Sequence, residues 1–84
     1  DSPGVELDIR GYRVDEGLDI LDRYIERAYL AGLPFVRIIH GKGTGRLRES
    51  VRDELGRNPH VARYESGGQG EGGEGVTVAH LKTS

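Results

Sequence analysis

With 84 residues and a mass of 9.2 kDa, the chain is long enough for one small domain with a single hydrophobic core. It has no cysteine, which excludes a disulfide framework, a thiol nucleophile and thiolate ligands to zinc, and which fits a reducing, cytoplasmic setting. No apolar run approaches the roughly 20 residues that span a bilayer, so no membrane partner is expected. Because methionine is absent, we expect a fragment of a longer chain, with residues 1–4 as linker or residual cloning sequence and 5–84 as the domain.

The formal net charge of −2 conceals a strong asymmetry along the chain. Between Arg37 and Arg63 there are seven basic and three acidic residues, a local net charge of +4, so the remainder carries −6. A concentration of positive charge in one region favours an anionic partner there, and nucleic acid is the common one.

The first element is predicted to be a strand. Residues 5–10 alternate apolar and charged side chains, the period-two pattern of a strand with one buried face. Leu7 and Ile9 are expected in the core. Asp8 and Arg10 then share the opposite face, close enough to act on one ligand.

An amphipathic helix follows, because apolar residues recur at steps of three and four from Val14 to Tyr29. Asp15 is its expected N-cap. The helix should end near Gly32, because glycine readily takes the left-handed conformation and Pro34 prevents continuation.

The segment 36–47 organises the rest of the chain. A strand over 35–39 enters a loop with glycine at 41, 43 and 45, and the loop opens onto a second helix. Such a loop can turn successive backbone amides toward one point, and the helix adds unpaired donors and the positive end of its dipole. We therefore predict a phosphate site at 41–45, flanked by His40 and Lys42.

Neither of two common phosphate motifs accounts for this loop. No G-x-x-x-x-G-K-[ST] string can be drawn, and the glycine spacing is not the G-x-G-x-x-G of dinucleotide folds. A turn that simply needed flexibility is the alternative.

The remaining elements complete an α+β fold. The second helix starts at Thr44 or Gly45, buries Leu47, Val51 and Leu55, and stops by residues 56–59. Strands are predicted at 60–65 and 76–82, joined by a segment, 67–75, with six glycines in nine positions that should be a mobile loop. The order β-α-β-α-β-β predicts an α/β sandwich, with a four-stranded mixed sheet carrying two helices on one face.

Three strings together resemble the Smr (small MutS-related) domain across nearly the whole chain. They are Leu-Asp-Ile-Arg-Gly at 7–11, His-Gly-Lys-Gly-Thr-Gly at 40–45 and Gly-Gly-Glu-Gly-Val-Thr-Val-Ala-His-Leu at 72–81. The second and third look most like the domain at the C-terminus of bacterial MutS-family proteins of the second, non-mismatch-repair lineage. The resemblance implies a fold similar to the C-terminal domain of translation initiation factor three, and nicking of DNA or cleavage of RNA with little sequence preference. It also implies a larger, dimeric, ATP-driven parent that suppresses recombination or, in some bacteria, rescues stalled ribosomes.

The predicted catalytic residues are Asp8, Arg10 and His40. Asp8 would orient or activate water, or hold a divalent cation such as Mg²⁺ or Mn²⁺, and Arg10 would contact phosphate with its planar fork. His40 would exchange a proton as partner of Asp8. The alternatives are a solvated strand face for the first two and a histidine that caps a strand end. The predicted phosphate-binding residues are Gly41, Lys42, Gly43, Thr44, Gly45, Arg46, Arg48 and Arg52.

The main hypothesis is therefore an endonuclease domain that hydrolyses phosphodiester bonds, most simply of DNA. The second is a module without chemistry that grips DNA, structured RNA or a ribosome. The third, weaker hypothesis is the binding of small nucleotides at the glycine loop.

Overall fold

A computed structural model describes residues 5–68 and 73–83. The described residues form four strands, two α-helices and one 3₁₀ turn at Gly73–Gly75. In chain order they are β1 (Glu6–Asp8), α1 (Val14–Leu30), β2 (Phe35–Ile39), α2 (Arg46–Arg57), β3 (Val61–Ser66) and β4 (Val76–Leu81). The predicted β-α-β-α-β-β order is confirmed. Neither described helix is both long and apolar enough to cross a membrane.

The four strands form one mixed sheet in the order β1-β2-β4-β3. β1 pairs in parallel with β2, and Asp8 lies opposite Ile39. β4 is inserted between β2 and β3 and runs antiparallel to both, so Thr77 lies opposite Ile38 on one side and Ser66 on the other. This insertion brings the start of β4 to the end of β2, where the glycine loop begins.

Both helices cover one face of the sheet. Val36 and Ile38 of β2 are fully buried on that face, in the same core as Leu21 of α1 and Leu55 of α2. The helices meet near their N-terminal ends at Gly17, where a Cβ atom would lie 3.4 Å from Leu47 Cδ1. Within residues 5–68 and 73–83, no helix lies on the opposite face of the sheet.

Two local predictions were wrong in detail. β1 ends at Asp8, and Arg10 lies in the turn that follows, although Ile9 still bonds to the Ile39 carbonyl oxygen at 2.9 Å and is fully buried. The N-cap of α1 is Arg13, not Asp15, because the helix already begins at Val14. The expected mobile loop over 67–75 lies partly outside the described residues.

Candidate functional site

The glycine loop joins β2 to α2 and is tied to the start of β4. The amides of His40 and Gly41 both donate to the carbonyl oxygen of Gly75, at 3.1 and 3.0 Å. Gly75 is packed so closely that an added Cβ would lie 3.6 Å from Gly41 Cα. The base of the loop is therefore fixed by a strand that is distant in sequence.

The tip of the loop leaves backbone donors open. Among residues 5–68 and 73–83, no acceptor is found for the amides of Lys42, Gly43 and Thr44. Gly45 is the N-cap of α2 with φ of +85°, a conformation that L side chains rarely adopt. The first amides of the helix add further donors and the positive end of its dipole. This arrangement can hold an anion, which supports the predicted phosphate site without testing it.

Asp8 and Arg10 form a tight exposed pair beside the loop. Arg10 donates through Nε to Asp8 Oδ1 at 3.0 Å and through Nη2 to Oδ2 at 2.7 Å, and its backbone amide also bonds to Oδ1 at 3.0 Å. These hydrogen bonds lower the pKa of Asp8 to about 2 and raise the pKa of Arg10. A Cβ on Gly41 would lie 3.4 Å from Arg10 Cγ, so the arginine side chain lies over the start of the loop.

His40 is buried rather than presented to a ligand. Only 5% of the residue is exposed, Nδ1 lies 2.9 Å from the Gly41 carbonyl oxygen, and Nε2 lies 2.8 Å from Thr77 Oγ1. A carbonyl oxygen only accepts, so Nδ1 carries the proton in this geometry and a neutral ring accepts from the Thr77 hydroxyl at Nε2. Burial lowers the pKa of His40 below its ordinary value. Both ring nitrogens are therefore engaged and the ring is uncharged at neutral pH.

The side chains of Asp8 and His40 lie on opposite faces of the sheet. Asp8 lies opposite Ile39 on the face without helices. His40 contacts Thr77, whose strand partner Ile38 belongs to the helix-covered face. That they act as an acid–base pair at one phosphate stays a prediction, although the two side chains do not share a face of the sheet. The reason is the period of two along β2, which places residue 40 on the same side as residues 36 and 38.

The arginines of α2 do not form one solvated row. Arg46 is exposed. Arg48 and Arg52 instead reach the carboxylate of Glu74, at 3.3 and 3.8 Å. Arg52 also donates to Ser66 Oγ at 2.6 Å. Arg48 and Arg52 therefore hold Glu74, at the end of the glycine-rich segment, to α2. The prediction of simple phosphate contacts did not include these ion pairs.

The described residues do not offer a ready metal site. No group of three histidine or acidic side chains that could share a cation occurs in residues 5–68 and 73–83. Both carboxylate oxygens of Asp8 are already bonded to Arg10. This donor set does not fit a resident Mg²⁺ or Mn²⁺ ion.

Comparison with known proteins identifies the family. The sequence profile of the Smr domain matches residues 7–82. The chain belongs to the Smr domain family. It is 54% identical over 77 residues to "Endonuclease MutS2" of Symbiobacterium thermophilum, and 52% identical over 77 residues to that of Exiguobacterium sibiricum. Each alignment covers 92% of this chain and 10% of the relative, so the Smr domain described here spans about a tenth of the curated relatives it matches.

Solved structures of Smr domains agree with this fold. The Smr domain of Thermus thermophilus MutS2 superposes with a TM-score of 0.91 at 43% identity, covering 94% of this chain and 99% of that one. YdaL, a stand-alone small MutS-related protein from Escherichia coli, superposes with a TM-score of 0.86 at 28% identity. The superposition covers 94% of this chain and 65% of the YdaL chain. The predicted family and α+β fold are confirmed.

Sequence reasoning missed the residues that hold the site of this Smr domain together. Thr77 is fully buried and joins His40 to Arg52, whose Nε lies 3.4 Å from Thr77 Oγ1. The signal was available in β4, where position 77 shares its parity with the core residues Ala79 and Leu81. A threonine on a buried parity implies a hydrogen-bond partner inside the protein.

Proposed function

We propose that this Smr domain is the endonuclease module of a larger, dimeric MutS2-type protein of the bacterial cytoplasm. In this proposal it binds a backbone phosphate at loop 41–45 and hydrolyses a phosphodiester bond of DNA, nicking with little sequence preference. The observation that carries the proposal lies at the edge of the sheet where β1 and β2 end. There the open amides of 42–44 lie beside an arginine that a carboxylate holds in place.

Arg10 is the proposed phosphate ligand. Its Nε and Nη2 bond to Asp8, which leaves Nη1 free to meet phosphate oxygens with a planar donor. Lys42 is exposed on the loop and adds a second positive charge. Together with the loop amides, these groups would stabilise the charge that grows on the phosphate oxygens in the transition state.

Asp8 is the proposed acceptor of the proton from the attacking water. Its low pKa comes first from the hydrogen bonds with Arg10, and these bonds keep the carboxylate ionised and oriented while Nη1 of Arg10 meets the phosphate. The water oxygen then bonds to phosphorus, the bond to the leaving oxygen breaks, and solvent protonates that oxygen. His40 acts in this proposal as a positioning residue, because it fixes Gly41 and the loop from the other face.

A binding module without chemistry is the second candidate, with DNA, RNA or a ribosome as its target. It is favoured by one observation: neither proposed acid–base group is a free base of near-neutral pKa. His40 is buried with both nitrogens engaged, and the pKa of Asp8 is about 2. Such a module would need the positive loop but no hydrolytic step.

The deciding experiment uses a matched ion pair elsewhere on the surface. Arg23 and Asp19 on α1 form an exposed pair at 2.8 Å, similar to Arg10 and Asp8 at 2.7 Å. The domain and its Arg10→Ala, Asp8→Asn, Arg23→Ala and Asp19→Asn variants are assayed on supercoiled plasmid, branched DNA and single-stranded RNA, with and without chelator. We expect both site variants to lose on the order of 10²-fold or more in cleavage rate and both control variants to retain it.

Three outcomes would contradict the proposal in different ways. Equal cleavage by Arg10→Ala and Arg23→Ala would remove Arg10 from the site. Inactivity on every substrate, together with salt-sensitive binding that Arg10→Ala weakens, would establish the binding module. Cleavage of RNA alone would replace DNA as the substrate.

A further inference from the structure

The N-terminal ends of both helices border one groove. Gly17 is buried in the first turns of α1, and a Cβ there would lie 3.4 Å from Leu47 Cδ1 and 3.6 Å from Ile9 Cδ1. These are ordinary van der Waals distances, and they show that the start of α1 packs against the start of α2 at this point. A surface groove opens where the two helix starts meet.

The groove has an apolar floor and a positively charged rim. Val14, Leu18 and Leu47 provide aliphatic surface, and Arg13 and Arg46 provide the charge. The acidic counterpart at this place is Asp15, whose Oδ1 lies 3.7 Å from Arg13 Nε. Both members of that pair are more than 70% exposed, so solvent screens it and the rim stays available to an anionic chain.

Tyr12 is the aromatic member of this rim. It lies in the turn before α1, where its amide donates to the Ile9 carbonyl oxygen at 3.3 Å, and half of the residue is exposed. Packing within the domain does not require an aromatic residue at such an exposed place. A tyrosine ring next to arginines on an aliphatic floor suits a flat, polarisable ligand with a negative charge close by.

The groove is continuous with the proposed phosphate site. Thr44 lines the groove and also belongs to the loop tip whose amides at 42–44 are open. A phosphate held by those amides would therefore have its neighbouring nucleoside at the mouth of the groove. Arg46, the first residue of α2, lines the groove directly after the N-cap that ends the loop.

From these contacts we propose that the groove between the helix starts binds the nucleobase next to the bound phosphate, and that Tyr12 stacks on it. This inference rests on the proposed function and narrows its substrate class. A base inside a duplex has both faces covered by its neighbours, so a base that stacks on a protein ring must be unpaired or extruded. The substrate is accordingly a nucleic acid with an unpaired nucleotide at the phosphate that the loop holds.

The experiment uses the absence of tryptophan from the chain. A Tyr12→Trp variant places a single fluorophore at the groove, and Tyr64→Trp places one at an exposed tyrosine on β3 (40% exposed) as the matched control. The probes are a single-stranded oligodeoxythymidylate, its duplex with oligodeoxyadenylate, and the single strand with abasic sites in place of the bases. Affinities of the wild type, Tyr12→Ala and Tyr12→Phe are measured for each probe over a range of salt concentrations.

We expect oligodeoxythymidylate to quench the fluorescence of Tyr12→Trp but not that of Tyr64→Trp, and the abasic strand to quench neither. Tyr12→Ala should bind the thymidylate strand on the order of 10-fold more weakly, while its affinity for the abasic strand and its salt dependence stay unchanged. Tyr12→Phe should bind like the wild type, because stacking needs the ring and not the hydroxyl.

The results separate the failure of this inference from the failure of the proposed function. Equal binding of both strands by the wild type, or full affinity in Tyr12→Ala, would overturn the stacking role and leave the phosphate site standing. Binding of duplex DNA that is as tight as that of the single strand and equally dependent on Tyr12 would overturn the unpaired substrate. Absence of binding to any probe would overturn both proposals.

Discussion

The contact between His40 and Thr77 should be a measurable source of stability, and Thr77→Val tests it. Valine keeps nearly the same shape but lacks the hydroxyl that lies 2.8 Å from His40 Nε2. Thr77 is fully buried and His40 is 5% exposed, so water cannot replace the lost donor without opening the core. In the described part of the chain, every buried side-chain nitrogen or oxygen has a partner. The variant would create an unsatisfied buried acceptor.

The expected magnitude follows from the cost of such an orphaned group. Leaving one buried polar atom without its partner lowers the free energy of unfolding by about 1–3 kcal/mol. In a domain of 60–100 residues, each kcal/mol shifts the melting temperature by about 4–8 °C. We therefore expect Thr77→Val to melt about 4 to 24 °C below the wild type.

Urea and thermal unfolding followed by far-UV circular dichroism provide the measurement, because the chain has no tryptophan to report by fluorescence. Thr83→Val is the control, since Thr83 is exposed just beyond β4 and such surface changes stay within about 0.5 kcal/mol. A Thr77→Val variant as stable as Thr83→Val would refute the reasoning. It would mean that the His40 ring is not held by this hydroxyl in solution.

Two further predictions concern His40 and the ion pairs that Glu74 forms with the arginines of α2. Burial depresses the pKa of His40 below its unfolded value of 6.5. The contribution of the neutral ring to the free energy of unfolding is therefore complete above about pH 6.5 and declines as the pH falls, by at most about 1.4 kcal/mol per pH unit. Urea unfolding should show this slope, and a His40→Gln variant that keeps the slope would contradict the assignment. Glu74→Gln should remove the negative charge that faces Arg48 and Arg52 and tighten binding to single-stranded DNA several-fold at low salt, with a steeper salt dependence, whereas Glu26→Gln on α1 should not. Looser binding would show that Glu74 orders these arginines for the ligand.

The local pattern predicted the elements well, because each has its own period and punctuation. The apolar steps of α1, the β-branched run of β2 and the glycines of the loop all act within a few residues. The bounds of β2 are as predicted, and the other bounds moved by at most two residues in the structure. The errors at Arg10 and Asp15 arose at element ends, where short-range signals compete.

The location of the candidate site was predictable from the sequence, but the contacts between its side chains were not. Asp8, Arg10 and the glycine loop do lie at the same edge of the sheet, because parallel strands joined by a helix end on the same side. The parity of Val36 and Ile38 indicates that the His40 side chain lies on the same face of the sheet as theirs. The structure was needed to show that this is the face covered by the helices.

The amino-acid sequence alone determined the class of fold and the position of the glycine loop, because those follow from periodicity and from glycines at fixed spacing, and the resemblance of three strings to the Smr domain gave the family. Tertiary structure decided which groups are free to act. The insertion of β4 between β2 and β3 brings Gly75 and Thr77 to the loop from more than 30 residues away. The same pairing sets Glu74 against the arginines of α2. These contacts depend on strand order, which no local pattern encodes, because pairing energies between distant strands are settled only when the whole core packs.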